Sequence, residues 1–255
     1  MKDAHALPRI AGMATMPSRV DTAEGALATI LPQIDMLWLF LDRFDEIPSF
    51  ARDERIRVLR SQEAGDLRAN GKLLGVALTD EPCTFFGVDD DIAYPPDYCR
   101  TLETYVDRYE GRAAIGVHGA VLREPMTSYA RDTKVLHRRS PQDCLREVDL
   151  LGSDSLAFRT STLRFDVREW GDVNMVDLSF AHVARRRSIP LLMIPRPAHW
   201  LSALDENQAD SIWVGVLRDD SRQTVLAREL LARPRPAPPA PRSRLRRSFA
   251  PGPRA

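Results

Sequence analysis

Residues 84–99 read TFFGVDDDIAYPPDYC, an apolar run that ends in three consecutive carboxylates, Asp89, Asp90 and Asp91, followed by two prolines. Adjacent acids repel one another, so the segment makes physical sense when something cationic lies among them. Their chemistry suits a hard dication, Mg2+ or Mn2+, which binds carboxylate oxygen and often completes its shell with water and substrate phosphates. A diphosphate would then finish a site that the triplet only half builds. The plain alternative is a solvated acidic turn. Position favours the first reading, because ligands of open α/β sheets bind beyond the carboxyl ends of the strands. Two more acids stand at such ends: Asp42 closes MLWLFL, and Asp66 follows RIRVLR.

The elements that must position these acids alternate along the chain. RIAGMAT (9–15) predicts a strand, followed by the loop MPSR and a helix from about Val20. MLWLFLD (36–42) is a continuous apolar run ended by an acid, the pattern of a strand buried on both faces. RIRVLR (55–60) alternates with period two and predicts an edge strand, NGKLLGVAL (70–78) a helix, and CTFFGV (83–88) a buried strand. Pro95 and Pro96 open a helix that runs to about Tyr109, since proline is tolerated in a first turn. AAIGVHGAVL (113–122) predicts one strand, and residues 123–145 are polar and irregular. DLLGSDSLAFRT (149–160) contains a strand, MVDLSFAHVARRRS (175–188) a helix, and PLLMIPR (190–196) the last strand. An amphipathic helix covers roughly Glu206 to Leu231. The alternation predicts an α/β three-layer sandwich with a mostly parallel central sheet.

At 255 residues the chain can bury a sizeable core in a single domain, assigned to 1–232. The 36 basic and 36 acidic residues cancel, but unevenly. Arg233, Arg235, Arg242, Arg244, Arg246, Arg247 and Arg254 lie in a tail without an acid, so the body carries −7 against the tail's +7. An acidic body argues against nucleic-acid binding. The Pro/Arg-rich tail, 233–255, cannot bury enough apolar surface to offset its ordering entropy and is expected to be disordered. Its arginines suit peripheral contact with an anionic membrane, the alternative being a solvated tail. Three cysteines without CxxC spacing, no signal-peptide core and no long apolar stretch predict a cytoplasmic protein, with the tail allowing a place at the inner membrane.

TMPSR, LFLDRFDEIP, GDLRANGK, VDDDIAYPPDY and MVDLSFAHVARRRSIP, in that order from about Arg9 to Leu201, together resemble a GT-A glycosyltransferase of the family 2 type. That type serves bacterial polysaccharide synthesis and includes the modules of capsule polymerases that make chondroitin- or hyaluronan-like chains. The resemblance implies a Rossmann-like GT-A fold and transfer of a sugar from a UDP-sugar to a glycan or lipid-linked acceptor. It places Thr15, Pro17 and Arg19 in a loop lining the nucleotide pocket, Asp42 near the uridine, and Asp66 on the base. Asn70 and Lys72 would approach the base or diphosphate. The DxD motif falls on Asp89 and Asp91, with Asp91 on the metal and Asp89 on ribose or metal, and Asp90 between them leaves the register open by one residue. A metal there would neutralise the departing diphosphate. Asp177 matches the carboxylate that deprotonates the acceptor hydroxyl in inverting members, although a first-turn acid favoured by the helix dipole has the same appearance.

His199 stands where such enzymes take a third metal ligand, His118 would line the site or pack beside a turn, and Trp200 would stack on a sugar or close the core. Gly152, Ser153 and Asp154 resemble the segment that contacts the donor sugar, with an acid at 154 as a departure that leaves the donor open. The absence of a QxxRW motif argues against a processive membrane synthase. The arginine-rich stretch within 123–145 is the candidate for an acceptor-side flap. Three other readings remain: a nucleotide-sugar- or glycan-binding protein without catalysis, a nucleotidyltransferase on a related fold, and a metal-dependent phosphohydrolase. The second wants a glycine-rich phosphate loop that GMATMPSR does not have. The third usually mixes histidine with aspartate at strand ends, and none of the five histidines adjoins the triplet.

Overall fold

The computed structural model describes residues 7–205 and 212–242. Four parallel strands form one half of the main sheet: β1 (Arg9–Thr15), β2 (Met36–Leu41), β3 (Ile56–Arg60) and β4 (Thr84–Val88). After the short β5 (Ile92–Ala93) come β6 (Ala114–Gly116), β7 (Gly119–Leu122), β8 (Thr133–Leu136), β9 (Arg146–Val148), β10 (Leu150–Leu151), β11 (Ser155–Arg159), β12 (Leu191–Met193) and β13 (Ser202–Ala203). The eight-stranded sheet has the order β3-β2-β1-β4-β11-β6-β12-β9, with β11 and β9 antiparallel to the rest. A second sheet, β10-β7-β8, stands beside it, and β13 pairs with β5.

The helices are α1 (Val20–Ile30), α2 (Ser61–Ala64), α3 (Gly75–Leu78), α4 (Tyr98–Arg108), α5 (Tyr129–Asp132), α6 (Val176–Arg186), α7 (Ile212–Arg218) and α8 (Ser221–Leu231). Strand alternation sorts the core into two layers. Ala11, Met13, Leu37, Leu39, Phe86 and Val88 face α1 and α4 on one side, while Ile10, Phe85 and Phe158 face α6 and α8 on the other. This is the period-two division expected of strands covered on both faces. On α6, Val176, Leu178, Phe180, Ala181, Val183 and Ala184 are buried. Each large one contributes about 1.5–3 kcal/mol, far more than the few tenths of a kcal/mol that valine costs a helix. Burial therefore fixes the helix that carries Asp177.

Several segments differ from the sequence reading. The expected helix at 70–78 is a 3-10 turn, Arg68–Leu73, followed by the single turn α3. That turn crosses β1 so closely that a Cβ on Gly12 would stand 1.8 Å from the Lys72 carbonyl oxygen. Glycine at 12 is what lets Lys72 reach the sheet's carboxyl rim. The run 113–122 is two strands in different sheets, β6 and β7, because the chain leaves the main sheet at Val117–His118. Residues 123–145 contain a cis Glu124–Pro125 peptide, α5 and β8. The long final helix is divided between α7 and α8 at Asp219–Asp220, and residues 206–211 of that expected helix lie outside the described residues. The division follows from side-chain bonding: Asp219 accepts from the Ser221 N–H at 2.9 Å, and Asp220 accepts from Ser128 Oγ and the Ala130 N–H at 2.6 and 2.8 Å.

Of the tail, residues 233–242 are described and form neither helix nor strand, and 243–255 lie outside the described residues. Arg235 donates to both oxygens of Asp149 at 2.7 and 2.5 Å, and Asp149, only 1% exposed, also takes Arg185 at 3.2 Å. Among the described residues no helix is long and apolar enough to cross a membrane.

Candidate active site

The carboxyl rim of the main sheet carries two adjoining regions. Over β1, β2 and β3 lie Thr15, Asp42 and Asp66. The Asp42 N–H donates to the Thr15 carbonyl at 2.9 Å, and buried Asp42 lies 3.8 Å from Arg43. Burial raises the Asp42 pKa against the pull of Arg43. Asp66 is exposed and paired with Arg68 at 3.3 Å and Arg43 at 4.0 Å. Pro17 opens a 3-10 turn, Pro17–Arg19, that carries Arg19 to Asp90 at 3.2 Å.

The triplet is not a solvated turn. Lys72 Nζ is ion-paired with Asp89, Arg19 with Asp90, and Asp91 lies close enough to both acids to feel their charge. Burial would depress the Lys72 pKa, but Asp89 raises it beyond that effect. Burial first, then Asp89 and Asp90, push the Asp91 carboxyl up to about 6. Asp90 is buried and also raised by burial, and its Oδ2 has no hydrogen-bond partner among the described residues. Three adjacent carboxylates supply the hard oxygens that fit a divalent cation. Among the described residues no three metal-ligating side chains cluster, so the protein would supply Asp91 and Asp89, leaving the other ligands to water and substrate phosphates.

The second region is a cavity of about 660 Å3, beside the carboxyl end of β4 and under the β10-β7-β8 sheet. Seven of the residues singled out from sequence, Lys72, Asp89, His118, Gly152, Ser153, Asp154 and Asp177, line it together with His137 and Arg138. Its organiser is the turn Gly152–Asp154. The Ser153 N–H donates to Asp177 Oδ1 at 2.8 Å, and Ser153 Oγ lies 3.4 Å from Lys72 Nζ. The Asp154 carbonyl accepts from the Tyr94 hydroxyl at 2.8 Å, and that hydroxyl accepts from the Asp89 N–H at 2.7 Å. One phenol thus joins the triplet to the turn.

Asp177, in the first turn of α6, is half-buried, and burial raises its pKa despite the Ser153 N–H. A raised carboxylate holds a proton better at neutral pH, which is what a base needs. Asp154 is the unexpected acid of the turn, and the structure accounts for it. Its Oδ2 takes His118 Nδ1 at 3.2 Å and Arg138 Nη1 at 3.0 Å, and its Oδ1 takes Ser155 Oγ at 2.7 Å. Burial would raise its pKa, but His118 and Arg138 hold it well below the usual carboxylate range. Glycine at 152 is required by the same packing, since a Cβ there would stand 2.6 Å from Asp154 Oδ1 and 3.0 Å from His118 Nδ1.

Not every expected residue converges here. Asn70 is buried and spends its amide on the Asp172 carbonyl at 2.8 Å, tying the Lys72 turn to the loop before α6. Among the described residues His199 joins no metal-ligating cluster with the triplet. It is exposed, and its N–H donates to the Arg139 carbonyl. Trp200 packs against Tyr98 with ring centroids 6.0 Å apart, closing the core. Sequence reading passed over Tyr94 as a bridge and Arg138 as the partner of Asp154. Only the arginine-rich character of 123–145 pointed toward the latter.

No protein-family model and no curated protein matches the sequence. Among solved structures the chain is similar to the mannosyltransferase PcManGT from Pyrobaculum calidifontis, in complex with GDP-Man and Mn2+. The TM-score is 0.57 at 12% identity, covering 92% of this chain and 67% of that one. The molecule therefore has a Rossmann-like glycosyltransferase fold.

Proposed function

We propose that this chain is a divalent-metal-dependent glycosyltransferase that moves a sugar from a nucleoside diphosphate sugar to an acceptor hydroxyl with inversion. The observation that carries the reading is Asp177, fixed by the Ser153 N–H in the same cavity that receives Lys72 and Asp89. In this reading the acceptor hydroxyl loses its proton to the other oxygen of Asp177 as its own oxygen bonds to the anomeric carbon. The bond from that carbon to the diphosphate breaks on the opposite face. Lys72 and Arg19 supply fixed positive charge where the diphosphate departs. A Mg2+ or Mn2+ held by Asp91 and Asp89 would neutralise the leaving group when bound. Thr15, Asp42 and Asp66 would contact the nucleoside.

The finer reading is a UDP-sugar donor and a glycan or lipid-linked acceptor in bacterial surface polysaccharide synthesis. The sequence resemblance supports uridine, whereas the structural neighbour holds GDP-Man, so the test must offer both. Calorimetric titration of the full chain with UDP and with GDP, each with and without Mn2+, tests the donor site. Metal-dependent binding of either supports the reading and selects the base. Binding of neither removes it.

A further inference from the structure

Asp177 would hold the acceptor's proton inside a cavity, and that proton must leave before the next turnover. We infer that it leaves through His118, which Asp154 orients as a proton relay beside Asp177, an assignment that rests on the proposed transferase reading. The geometry begins with the dyad. Asp154 Oδ2 lies 3.2 Å from His118 Nδ1. An ionised carboxylate only accepts, so Nδ1 carries the hydrogen and Nε2 is the basic nitrogen of the neutral ring. Nε2 has no hydrogen-bond partner among the described residues, and the ring lines the cavity with Asp177. The side chain keeps 22% exposure, so solvent reaches the ring.

The same turn holds both groups in place. Ser153 fixes Asp177 through its N–H, the Gly152 N–H donates to the His118 carbonyl at 2.9 Å, and the ring of His118 fills the space that a side chain at 152 would take. Four titratable or charged groups face His118: Asp154 on the turn, Asp177 on α6, and His137 and Arg138 after β8. Burial opposes the imidazolium, but Asp154, through charge and hydrogen bond, and then Asp177 outweigh burial and Arg138, raising its pKa above the ordinary histidine value. His137, 5.3 Å away ring to ring, is pushed down to about 4 by burial, His118 and Arg138, so it stays neutral. The relay thus has one member able to take a proton and return it near neutral pH.

In the transfer step the acceptor O–H bond breaks and its proton joins Asp177, while the anomeric carbon exchanges its diphosphate bond for the acceptor oxygen. The proton then passes from Asp177 to His118 Nε2, giving an imidazolium between two carboxylates, and from there to water. His118 must be neutral to receive it, so turnover rises with pH through the His118 pKa.

The test uses the full chain with Mn2+ and with UDP-glucose or GDP-mannose, water serving as acceptor and released nucleotide as the readout. His118→Ala should leave the nucleotide Kd unchanged and lower kcat by about 100-fold, the low end of general acid–base effects. The limb of the pH profile set by His118 should vanish, and added imidazole should restore turnover. His118→Asn, which keeps a donor for Asp154 but has no Nε2, should show the same loss without rescue and guards against a folding defect in the alanine variant. Turnover and pH profile unchanged in both variants, with nucleotide binding intact, would overturn the relay and leave the transferase reading standing. A loss that imidazole does not rescue in the alanine variant would assign His118 a structural role and overturn the relay as well. Wild-type chain that binds nucleotide but hydrolyses neither donor would overturn the proton-handling roles of Asp177 and His118 together. Failure to bind any nucleotide would remove the transferase reading and the relay with it.

Discussion

The two regions of the rim hold their acids differently. Over β2 and β3, Asp66 is exposed and meets only arginines on its own loops, at 3.3 and 4.0 Å. Around the cavity, Asp154 is buried and three side chains converge on it, while Asp177 is fixed by a backbone N–H. An exposed pair near the surface is worth about 0–1 kcal/mol, whereas removing one partner of a buried network costs several times more. The Asp66 pairs can therefore exchange partners when a ligand arrives, and the cavity side is set in advance. Recognition of a nucleotide tolerates the first kind of construction. Aligning a nucleophile and a proton acceptor demands the second.

Substitutions that probe each region sharpen the contrast. The largest effect is expected for Asp177→Asn: nucleotide binding persists while transfer or hydrolysis falls by about 10²- to 10⁴-fold, measured as released nucleotide. Retained turnover would refute the base assignment. Next comes Asp91→Asn, which should lower Mn2+-dependent nucleotide affinity by roughly tenfold or more, the weight of a lost charge-assisted contact of about 1.5–3 kcal/mol. Equal affinity by calorimetry would discard Asp91 as a metal ligand. Tyr94→Phe removes the hydroxyl that accepts from Asp89 and donates to Asp154, leaving a backbone N–H without that partner. The expected cost is about 1–3 kcal/mol of stability, read as a lower urea midpoint, and an unchanged midpoint would show that the two regions are not coupled through the phenol. The smallest effect belongs to Asp66→Asn, whose exposed carboxylate should change nucleotide affinity by no more than about threefold. A larger loss would mean that the β1–β3 region is built as rigidly as the cavity.

The same division governs what sequence could reveal. The first region follows from a local rule: a parallel strand buried on both faces ends in an acid, so Asp42 and the 89–91 triplet were legible from their own segments. Asp177 was pointed to by the family resemblance rather than by its own segment, and the structure sets it on the cavity wall. The cavity was not, because Asp154, His118 and Arg138 meet through antiparallel β11, through the chain's departure from the main sheet at Val117–His118, and through the β7–β8 hairpin. Those pairings are non-local, and no spacing in the sequence announces them. His199 was offered by the family resemblance alone, and among the described residues it joins no metal-ligating cluster.

Composition marks everything after Ala232 as expendable, yet Arg235 reaches a carboxylate one residue before Leu150 of the cavity wall. A gene shortened at the apparent domain boundary would encode a polypeptide that still contains every residue assigned to chemistry. It would also leave Asp149 with one guanidinium partner instead of two, next to the strand on which substrate would rest. For anyone designing a shortened version for crystallisation or fusion, the safe cut lies beyond Arg235.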